Sequence, residues 1–234
     1  PNSKIQINCE VVNYNNPRVT TTKGDYKIDH LIFCGGLFSD RLARKDTLDL
    51  NMQIVGFRGD YYKLTESAMH KVKNLIYPVP NPEFPFLGVH FTRMFNGDIE
   101  CGPNAVFTFK REGYNKTDFS FRDTLQALAF RGTWKLFINH WKFGINEYRR
   151  AFSKYLFLKE IRKMIPSLNM HDIVEERSGV RAMALEKNGK VIDDFLIVKS
   201  NKNIHVLNAP SPAATACISI GKKIMLEASD YFKI

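Results

Sequence analysis

An apolar run that ends in two glycines constrains the fold of this chain more than any other feature. Residues 31–34 are Leu, Ile, Phe and Cys, and such a run is typical of a strand buried in a parallel sheet. Gly35 and Gly36 end the strand, and a short helix is predicted over residues 38–43. Strand, glycine pair and helix form one half of a nucleotide-binding layout, although the same turn also joins strands to helices where no ligand binds.

A second strand that leads into a helix lies near the end of the chain. The predicted strand at residues 203–207 runs into a turn stiffened by Pro210 and Pro212, and a helix is predicted over residues 213–228. Its first turn would present unpaired backbone N–H groups, and the small side chains in residues 208–215 would let a flat or anionic ligand approach them. A plain helix start with a rigid entry explains these residues equally well.

Between these two pieces, the pattern changes to short strands and then to helices. Short apolar segments broken by Pro, Gly and Asn indicate an antiparallel sheet, with strands at residues 53–64, 75–79, 86–93, 99–101 and 105–109. Helical periodicity follows over residues 121–164. It predicts roughly three helices, with breaks near Gly132 and Gly144 and a stop at Pro166.

Further strands flank this middle region. Residues 5–12 alternate apolar and polar side chains and predict a strand, which a turn-rich stretch at residues 13–25 follows. Strands are also predicted at residues 175–185 and 195–200, with a hairpin around residues 188–189. The order of elements predicts a mixed α/β (α+β) fold: a nucleotide-binding piece, an antiparallel sheet with helices, and a return to the first piece.

Composition places the chain among ordinary globular proteins. Hydrophobic residues make up 44% of its 234 residues, and the formal net charge is +10 from 34 basic and 24 acidic residues. The basic residues are spread along helical stretches such as residues 149–163, which favours a solvated helix face. A peripheral contact with acidic lipid headgroups is the second interpretation. Nucleic acid is a distant third, because no motif that binds it is present.

The cysteines exclude two kinds of site. Cys9, Cys34, Cys101 and Cys217 form no C-x-x-C pair, so neither a zinc site nor a thioredoxin-like motif is indicated, and we expect no metal. Few cysteines and no signal-peptide pattern predict a reducing, cytoplasmic setting. No apolar run is long enough to span a bilayer.

Three side chains are candidates for chemistry. Arg181 lies in an otherwise apolar predicted strand, where it must face solvent, form a structural ion pair or bind an anion such as a carboxylate. His90 also lies in an apolar strand, and His205 adjoins the turn at residues 208–215. A strand histidine is more often a hydrogen-bonded core residue than a catalyst, yet histidine is the usual general base near neutral pH.

Taken together, these segments resemble the L-2-hydroxyglutarate dehydrogenases of the D-amino-acid-oxidase-like FAD superfamily. The matching stretches recur in order from about residue 32 to about residue 221, at residues 57–64, 75–80, 85–93, 102–105, 109–114, 179–182 and 208–215. The resemblance implies an incomplete Rossmann-like FAD-binding domain (residues 1–50 and 186–234) intergrown with a substrate domain of antiparallel sheet and helices (residues 51–185).

The resemblance also implies the reaction. FAD would take a hydride from C2 of L-2-hydroxyglutarate to give 2-oxoglutarate, and electrons would pass to a quinone, another acceptor or oxygen. Arg181 matches the superfamily's Gly-x-Arg position that binds the substrate carboxylate, and His90, with His205 as its rival, would accept the hydroxyl proton. Arg58, Tyr62 and Lys110 are further candidates for lining the substrate pocket.

The flavin contacts implied by the resemblance lie at both ends of the chain. They are Val11, Gly35, Gly36, Asn208, Ala209, Pro210, Ser211, Pro212, Ala213, Ala214 and Thr215. The family begins with a Gly-x-Gly-x-x-Gly strand–turn–helix that is not found here and should precede Pro1, so we expect this polypeptide alone to bind FAD weakly or not at all. The alternatives are a relative that oxidises another anion, such as an amino acid or glycerol phosphate, and an inactive fragment.

Overall fold

The computed structural model describes residues 3–15, 17–79, 88–200, 202–209 and 213–233. The strands are β1 (Val11–Asn15), β2 (Arg18–Thr21), β3 (Gly24–Lys27), β4 (Leu31–Phe33), β5 (Met52–Gly59), β6 (Tyr62–Leu64), β7 (His90–Arg93), β8 (Ile99–Gly102), β9 (Val106–Phe107), β10 (Ile173–Glu175), β11 (Gly179–Glu186), β12 (Leu196–Ser200) and β13 (Asn203–Asn208). The α-helices are α1 (Ser39–Lys45), α2 (Phe121–Ala129), α3 (Arg131–Asn139), α4 (Trp141–Phe152), α5 (Lys154–Ile161) and α6 (Cys217–Phe232). They belong to two units, one formed by Pro1–Leu48 and Asp193–Ile234 and the other by Asp49–Ile192.

The first unit contains the parallel strand pair that the glycine motif predicts. Strand β13 lies between β4, to which it is parallel, and β12, to which it is antiparallel. A 3₁₀ turn at Gly36–Phe38 leads from β4 into α1, so the short helix predicted there is confirmed. Because β4 and β13 are parallel and in register, their carboxyl ends meet at one edge of the sheet.

Three predictions about the first unit are wrong in detail. The strand predicted over residues 5–12 begins only at Val11, and the stretch predicted as turns forms the antiparallel meander of β1, β2 and β3. Thr, Val and Tyr in this stretch favour strands, and each strand supplies the ladder partner that the next one needs. The last helix begins at Cys217 rather than residue 213, because consecutive turns occupy residues 213–216.

The second unit contains the predicted antiparallel sheets. Strand β5 lies between β11 and β9, and a four-stranded sheet has the order β10, β6, β8 and β7. The single strand predicted over residues 53–64 is divided at Asp60 and Tyr61 into β5 and β6. The backbone N–H of Asp60 donates to Oδ1 of Asn104 (2.7 Å) rather than to a neighbouring strand, and the side chain of Asp60 accepts from Arg58 and Asn104. Of the strand predicted at residues 75–79, only a bridge from Ile76 to Phe91 forms.

The helical region has four helices instead of roughly three; the break predicted near Gly132 is confirmed, whereas Gly144 lies inside α4. The breaks lie at Phe130, His140 and Ser153. Gly132 lies inside α3, where a β-carbon would collide with the backbone carbonyl of Glu186. The glycine that resembled a helix break is therefore a packing residue, which lets α3 approach the end of β11 closely. Among the described residues, no helix is both long and apolar enough to cross a membrane.

Candidate functional site

The sheet edge at the carboxyl ends of β4 and β13 is the candidate site for the cofactor. His205 is paired with Phe33, so the chain leaves both strands at this edge toward Gly36 on one side and Asn208 on the other. Gly36 has a φ of +50°, and a β-carbon placed on it would meet no atom within 4 Å. The backbone there is open to the close approach of a ligand, as the nucleotide-binding interpretation requires.

The remaining flavin candidates are placed less uniformly. Asn208 donates a hydrogen bond from Nδ2 to the carbonyl of Asp194 (2.8 Å), and Ala209 is half-buried beside it. The exposed turn that precedes α6 carries Ala213, Ala214 and Thr215, whereas Pro210, Ser211 and Pro212 lie outside the described residues. Val11 is half-exposed in β1. Gly35 is backed by Leu42, which a β-carbon on this glycine would strike.

His205 is enclosed within the first unit. It has no exposed surface, its Nε2 lies 2.8 Å from Oδ2 of Asp46, and its ring stacks on Phe33 at a centroid distance of 4.5 Å. Ser200 and Asn203 donate to the same carboxylate oxygen. Burial raises the pKa of Asp46, but these three hydrogen bonds outweigh that effect and hold the pKa below its usual range. A histidine held in this way favours a bracing role over substrate chemistry.

His90 lies in the second unit, and its charged neighbour is a cation instead of a carboxylate. Its Nδ1 is 3.0 Å from the carbonyl oxygen of Gly88, and its ring stacks on Tyr77 at 4.5 Å. Burial lowers the pKa of His90, the hydrogen bond to Gly88 opposes that shift, and the positive charge of Arg181 adds to it. The net result is a pKa below the ordinary value of 6.5. The structure therefore brings two of the predicted catalytic residues within electrostatic range of each other.

Arg181 has the surroundings expected of an anion-binding residue. It is half-buried in β11, directly across from Phe57 of β5. Within the described part of the chain, no carboxylate forms an ion pair with its guanidinium group. A partly buried cation without a protein counter-ion is costly, and an anionic ligand would relieve that cost.

Two predicted substrate residues are engaged inside the protein instead. Arg58 is 5% exposed, donates from Nε to Asp60 (2.7 Å) and also donates to the carbonyl of Asn115 (2.8 Å). Tyr62 is 3% exposed and packs on Phe157, its hydroxyl is hydrogen-bonded to Glu175, and burial raises its pKa to about 12. These contacts argue against the substrate roles expected for Arg58 and Tyr62, because their polar groups already have partners.

Lys110 lies exposed in the turn after β9, so its ammonium group is accessible to a ligand.

The sequence did not identify Asp46, which holds His205. Asp46 lies just beyond α1 in a polar stretch that resembles any helix end. Its only sequence signal is the three polar residues of β12 and β13 that converge on it, and their convergence depends on strand register.

The second unit also contains an apolar cavity of about 420 Å³. It lies between the β5–β9 sheet and helices α2–α4, and its lining includes Phe57, Phe107, Phe109, Phe137, Trp141 and Tyr148. The hydroxyl of Tyr148 donates to the carbonyl of Phe107 (2.7 Å), and burial raises its pKa to about 12. This volume is in the range of small-ligand sites, and the lining suits an uncharged ring or chain. Over the described ranges, no group of three or more His, Cys, Asp or Glu side chains is placed to hold a metal ion.

Comparison with known proteins gives relatives along almost the whole chain. The L-2-hydroxyglutarate dehydrogenase of Indibacter alkaliphilus is 47% identical over 204 residues, which are 87% of this chain and 51% of that protein. The Escherichia coli (strain K12) protein of the same name is 44% identical over 227 residues, covering 95% of this chain and 54% of its own length. The chain thus spans about half the length of the curated relatives that it matches.

A solved structure and a family model agree with this result. The dithionite-reduced L-alpha-glycerophosphate oxidase from Mycoplasma pneumoniae with FAD bound superposes with a TM-score of 0.64 at 19% identity, over 95% of this chain and 50% of that one. This is a likeness of fold. The family model described as "DAO: FAD dependent oxidoreductase" matches residues 3–225. On that match, the chain belongs to the DAO family of FAD dependent oxidoreductases.

Proposed function

We propose that the protein containing this chain oxidises L-2-hydroxyglutarate to 2-oxoglutarate with FAD. The observation that carries the proposal is the pair formed by His90, a half-buried histidine with a lowered pKa, and Arg181, a cation without a carboxylate partner among the described residues. The names of the relatives support the choice of substrate. Oxidation of a hydroxy acid needs a group that receives the hydroxyl proton and a cation that holds a carboxylate, and this pair supplies both.

The residues at the shared edge of β4 and β13 fit FAD. Gly36 leaves open space where another residue would place a β-carbon. The diphosphate or ribityl chain of FAD would lie against the protein backbone at Gly36, with Gly35, Asn208 and Ala209 at the same sheet edge. Val11 and the turn at residues 213–215 remain proposed contacts. When bound, FAD supplies the hydride acceptor, and the protein contributes binding, orientation and proton transfer.

His90 is the proposed general base. A carbonyl oxygen only accepts hydrogen bonds, so the neutral ring donates from Nδ1 to Gly88 and leaves the lone pair on Nε2. Because the pKa of His90 is lowered, the ring is neutral at pH 7 and ready to accept the proton of the substrate hydroxyl. His205, the rival candidate, is fully buried and its Nε2 already faces Asp46, so we assign it a positioning role.

Arg181 is the proposed ligand of the carboxylate beside the reacting carbon. Its planar guanidinium donates two parallel hydrogen bonds to a carboxylate, which fixes orientation as well as charge. For the second carboxylate, Lys110 remains the candidate, since Arg58 and Tyr62 are held by internal partners.

The electron acceptor is proposed to be a quinone. The apolar, largely uncharged cavity beneath helices α2–α4 suits a lipid-soluble ring. The net charge of +10 favours a peripheral contact with an anionic membrane, which would bring the protein to such an acceptor.

Anaerobic titration tests the reaction. The FAD-loaded protein that contains this chain is mixed with L-2-hydroxyglutarate, and the visible flavin absorbance is followed with the D enantiomer as control. Bleaching by the L form alone is expected. A flavin that stays oxidised with L-2-hydroxyglutarate but bleaches with an amino acid or glycerol phosphate would replace the proposed substrate. A protein that never acquires flavin absorbance would contradict the cofactor assignment.

A further inference from the structure

Large apolar side chains are exposed on one consecutive set of helices. Within each of α2, α3 and α4 they recur four or seven residues apart, so they share the outer face of that helix. The set, called here the α2–α4 face, comprises Phe121, Leu125, Trp134, Ile138, Trp141, Ile145 and Phe152. Each of them is more than half exposed. Scattered single apolar residues need no explanation, but a repeated row on three successive helices marks an interaction surface.

The charges on this face are almost all positive. Residues 121–152 contain six basic residues and two acidic ones. Both acidic groups are turned to the protein itself: Asp123 accepts from the backbone N–H of Arg111, and Glu147 accepts from that of Ala105. Exposed Arg122, Arg131, Lys142 and Arg149 therefore set the electrostatic character of the surface.

Two residues of the same face line the apolar cavity. Trp141 and Ile145 both line the cavity and are 56% and 51% exposed, so the cavity opens between exposed apolar side chains. A molecule dissolved in an apolar phase against this face would have direct access to the cavity.

We propose that the α2–α4 face docks on an anionic lipid bilayer. Amphipathic helices with aromatic and aliphatic side chains on one side and Lys or Arg around them lie in the interface of such bilayers. Tryptophan prefers this zone, and each basic residue near the surface adds about 1 kcal/mol of attraction to anionic lipid. The exposed charges of residues 121–152 are all basic, which favours a uniformly anionic surface such as a lipid bilayer over a protein partner. The inference rests on the peripheral contact proposed above and names the surface that makes it.

The two tryptophans of the chain provide a local reporter. Trp134 and Trp141, the only tryptophans in the sequence, both belong to the α2–α4 face. The chain is mixed with phosphatidylglycerol vesicles that carry brominated acyl chains, and tryptophan fluorescence is measured against phosphatidylcholine vesicles with the same bromination. Strong quenching with the anionic vesicles, reversed by raising salt, is the expected result. Sedimentation with the vesicles without quenching would show that another surface binds them and would overturn the proposal.

A pair of matched variants tests the apolar contribution. Replacement of Phe121 and Ile138 by Ser leaves the cavity lining intact and should weaken partitioning into anionic vesicles about tenfold or more. Replacement of Ile218 and Met225 on α6 by Ser removes equally exposed apolar side chains elsewhere and should leave partitioning unchanged. Equal loss in both variants, or none in the first, would contradict the proposal. Circular dichroism and thermal unfolding confirm that each variant is folded.

Charge variants complete the test and separate it from the proposed reaction. Arg131→Gln and Lys142→Gln should each weaken partitioning about fivefold, the factor that corresponds to about 1 kcal/mol. None of these measurements uses substrate, so failure to oxidise L-2-hydroxyglutarate would leave the docking result standing. Loss of concentration-dependent self-association in the Phe121 and Ile138 variant, together with absent quenching, would instead identify a second copy of the chain as the occupant and overturn the lipid assignment.

Discussion

The surroundings of His205 and His90 differ although the two rings begin from similar contacts. Each ring stacks on an aromatic neighbour at 4.5 Å, Phe33 for His205 and Tyr77 for His90. The charged neighbour of His205 is the carboxylate of Asp46, whereas the charged neighbour of His90 is the guanidinium group of Arg181. His205 is wholly buried, whereas His90 retains access.

The sign of the neighbouring charge separates a bracing histidine from a reactive one. A carboxylate that accepts from a histidine fixes the ring and joins two strands to the end of α1. A neighbouring arginine without a protein counter-ion keeps the histidine neutral and leaves both groups available to a ligand. Aromatic stacking alone therefore says little about the role of a strand histidine.

The largest expected effect is at His90. His90→Gln removes the proposed base while keeping a polar side chain, so kcat should fall about 10²- to 10⁴-fold, as is usual when a general base is lost. Pre-steady-state flavin reduction measures the loss at the chemical step, and thermal unfolding should be little changed. His205→Gln is the matched variant. A normal reduction rate in His90→Gln, or a larger defect at the chemical step in folded, flavin-loaded His205→Gln, would break the comparison.

Asp46 carries the next largest effect, and it concerns stability. Asp46→Ala leaves the polar groups of Ser200, Asn203 and His205 without their shared acceptor, which should cost about 3 kcal/mol of unfolding free energy, measured in urea. The folded pKa of Asp46 is lowered, so its contribution is present above the unfolded pKa and is lost as pH falls through the folded pKa. The stability of Asp46→Ala should therefore depend less on acidic pH than that of the parent.

The strand, the glycine turn and the candidate arginine could be predicted from the sequence, because each depends only on neighbouring residues. The apolar run of β4, the glycines after it and the Gly-x-Arg of β11 each depend on a few neighbouring residues. The partner of each histidine could not be predicted. Asp46 is far from His205 in sequence, and their contact exists only because β13 pairs with β4 and α1 folds back on that sheet.

Errors in the predicted elements have the same origin. The helix break predicted near Gly132 lies at Phe130, but it is packing against Glu186 that requires a glycine at the start of α3. Arg58 resembled a substrate ligand until β5 placed it beside Asp60, where the two groups neutralise each other out of contact with solvent. Residue type indicated polarity and size correctly at both positions, but neighbours brought by the fold decided the role.

Arg181 offers a sharper test of the same comparison through pH. In Arg181→Met the positive charge that lowers the pKa of His90 is gone, so that pKa should rise. Because the base acts when neutral, the acidic limb of the kcat/KM profile should move to higher pH. KM should also increase about ten- to hundredfold from the loss of charge-assisted hydrogen bonds. Arg177→Met, an exposed neighbour, should change neither quantity. If the acidic limb did not move in Arg181→Met, the charge of Arg181 would not influence the protonation of the catalytic base.

The smallest expected effect concerns the edge that the His205 cluster braces. In Gly36→Ala the added methyl group meets no protein atom, so its cost in the free protein is the left-handed backbone alone, about 1 kcal/mol. Gly97→Ala has the same property, with a φ of +91° and no atom within 4 Å, and lies in the other unit. Both variants should lose unfolding free energy, Gly97→Ala at least as much as Gly36→Ala because its φ lies beyond the left-handed helical region. Only Gly36→Ala should also weaken FAD binding, about tenfold or more by fluorescence titration, because its methyl group would occupy space that the diphosphate or ribityl chain of FAD needs. Equal FAD affinity in the two variants would mean that this edge, although held rigidly by Asp46 and His205, does not contact the cofactor.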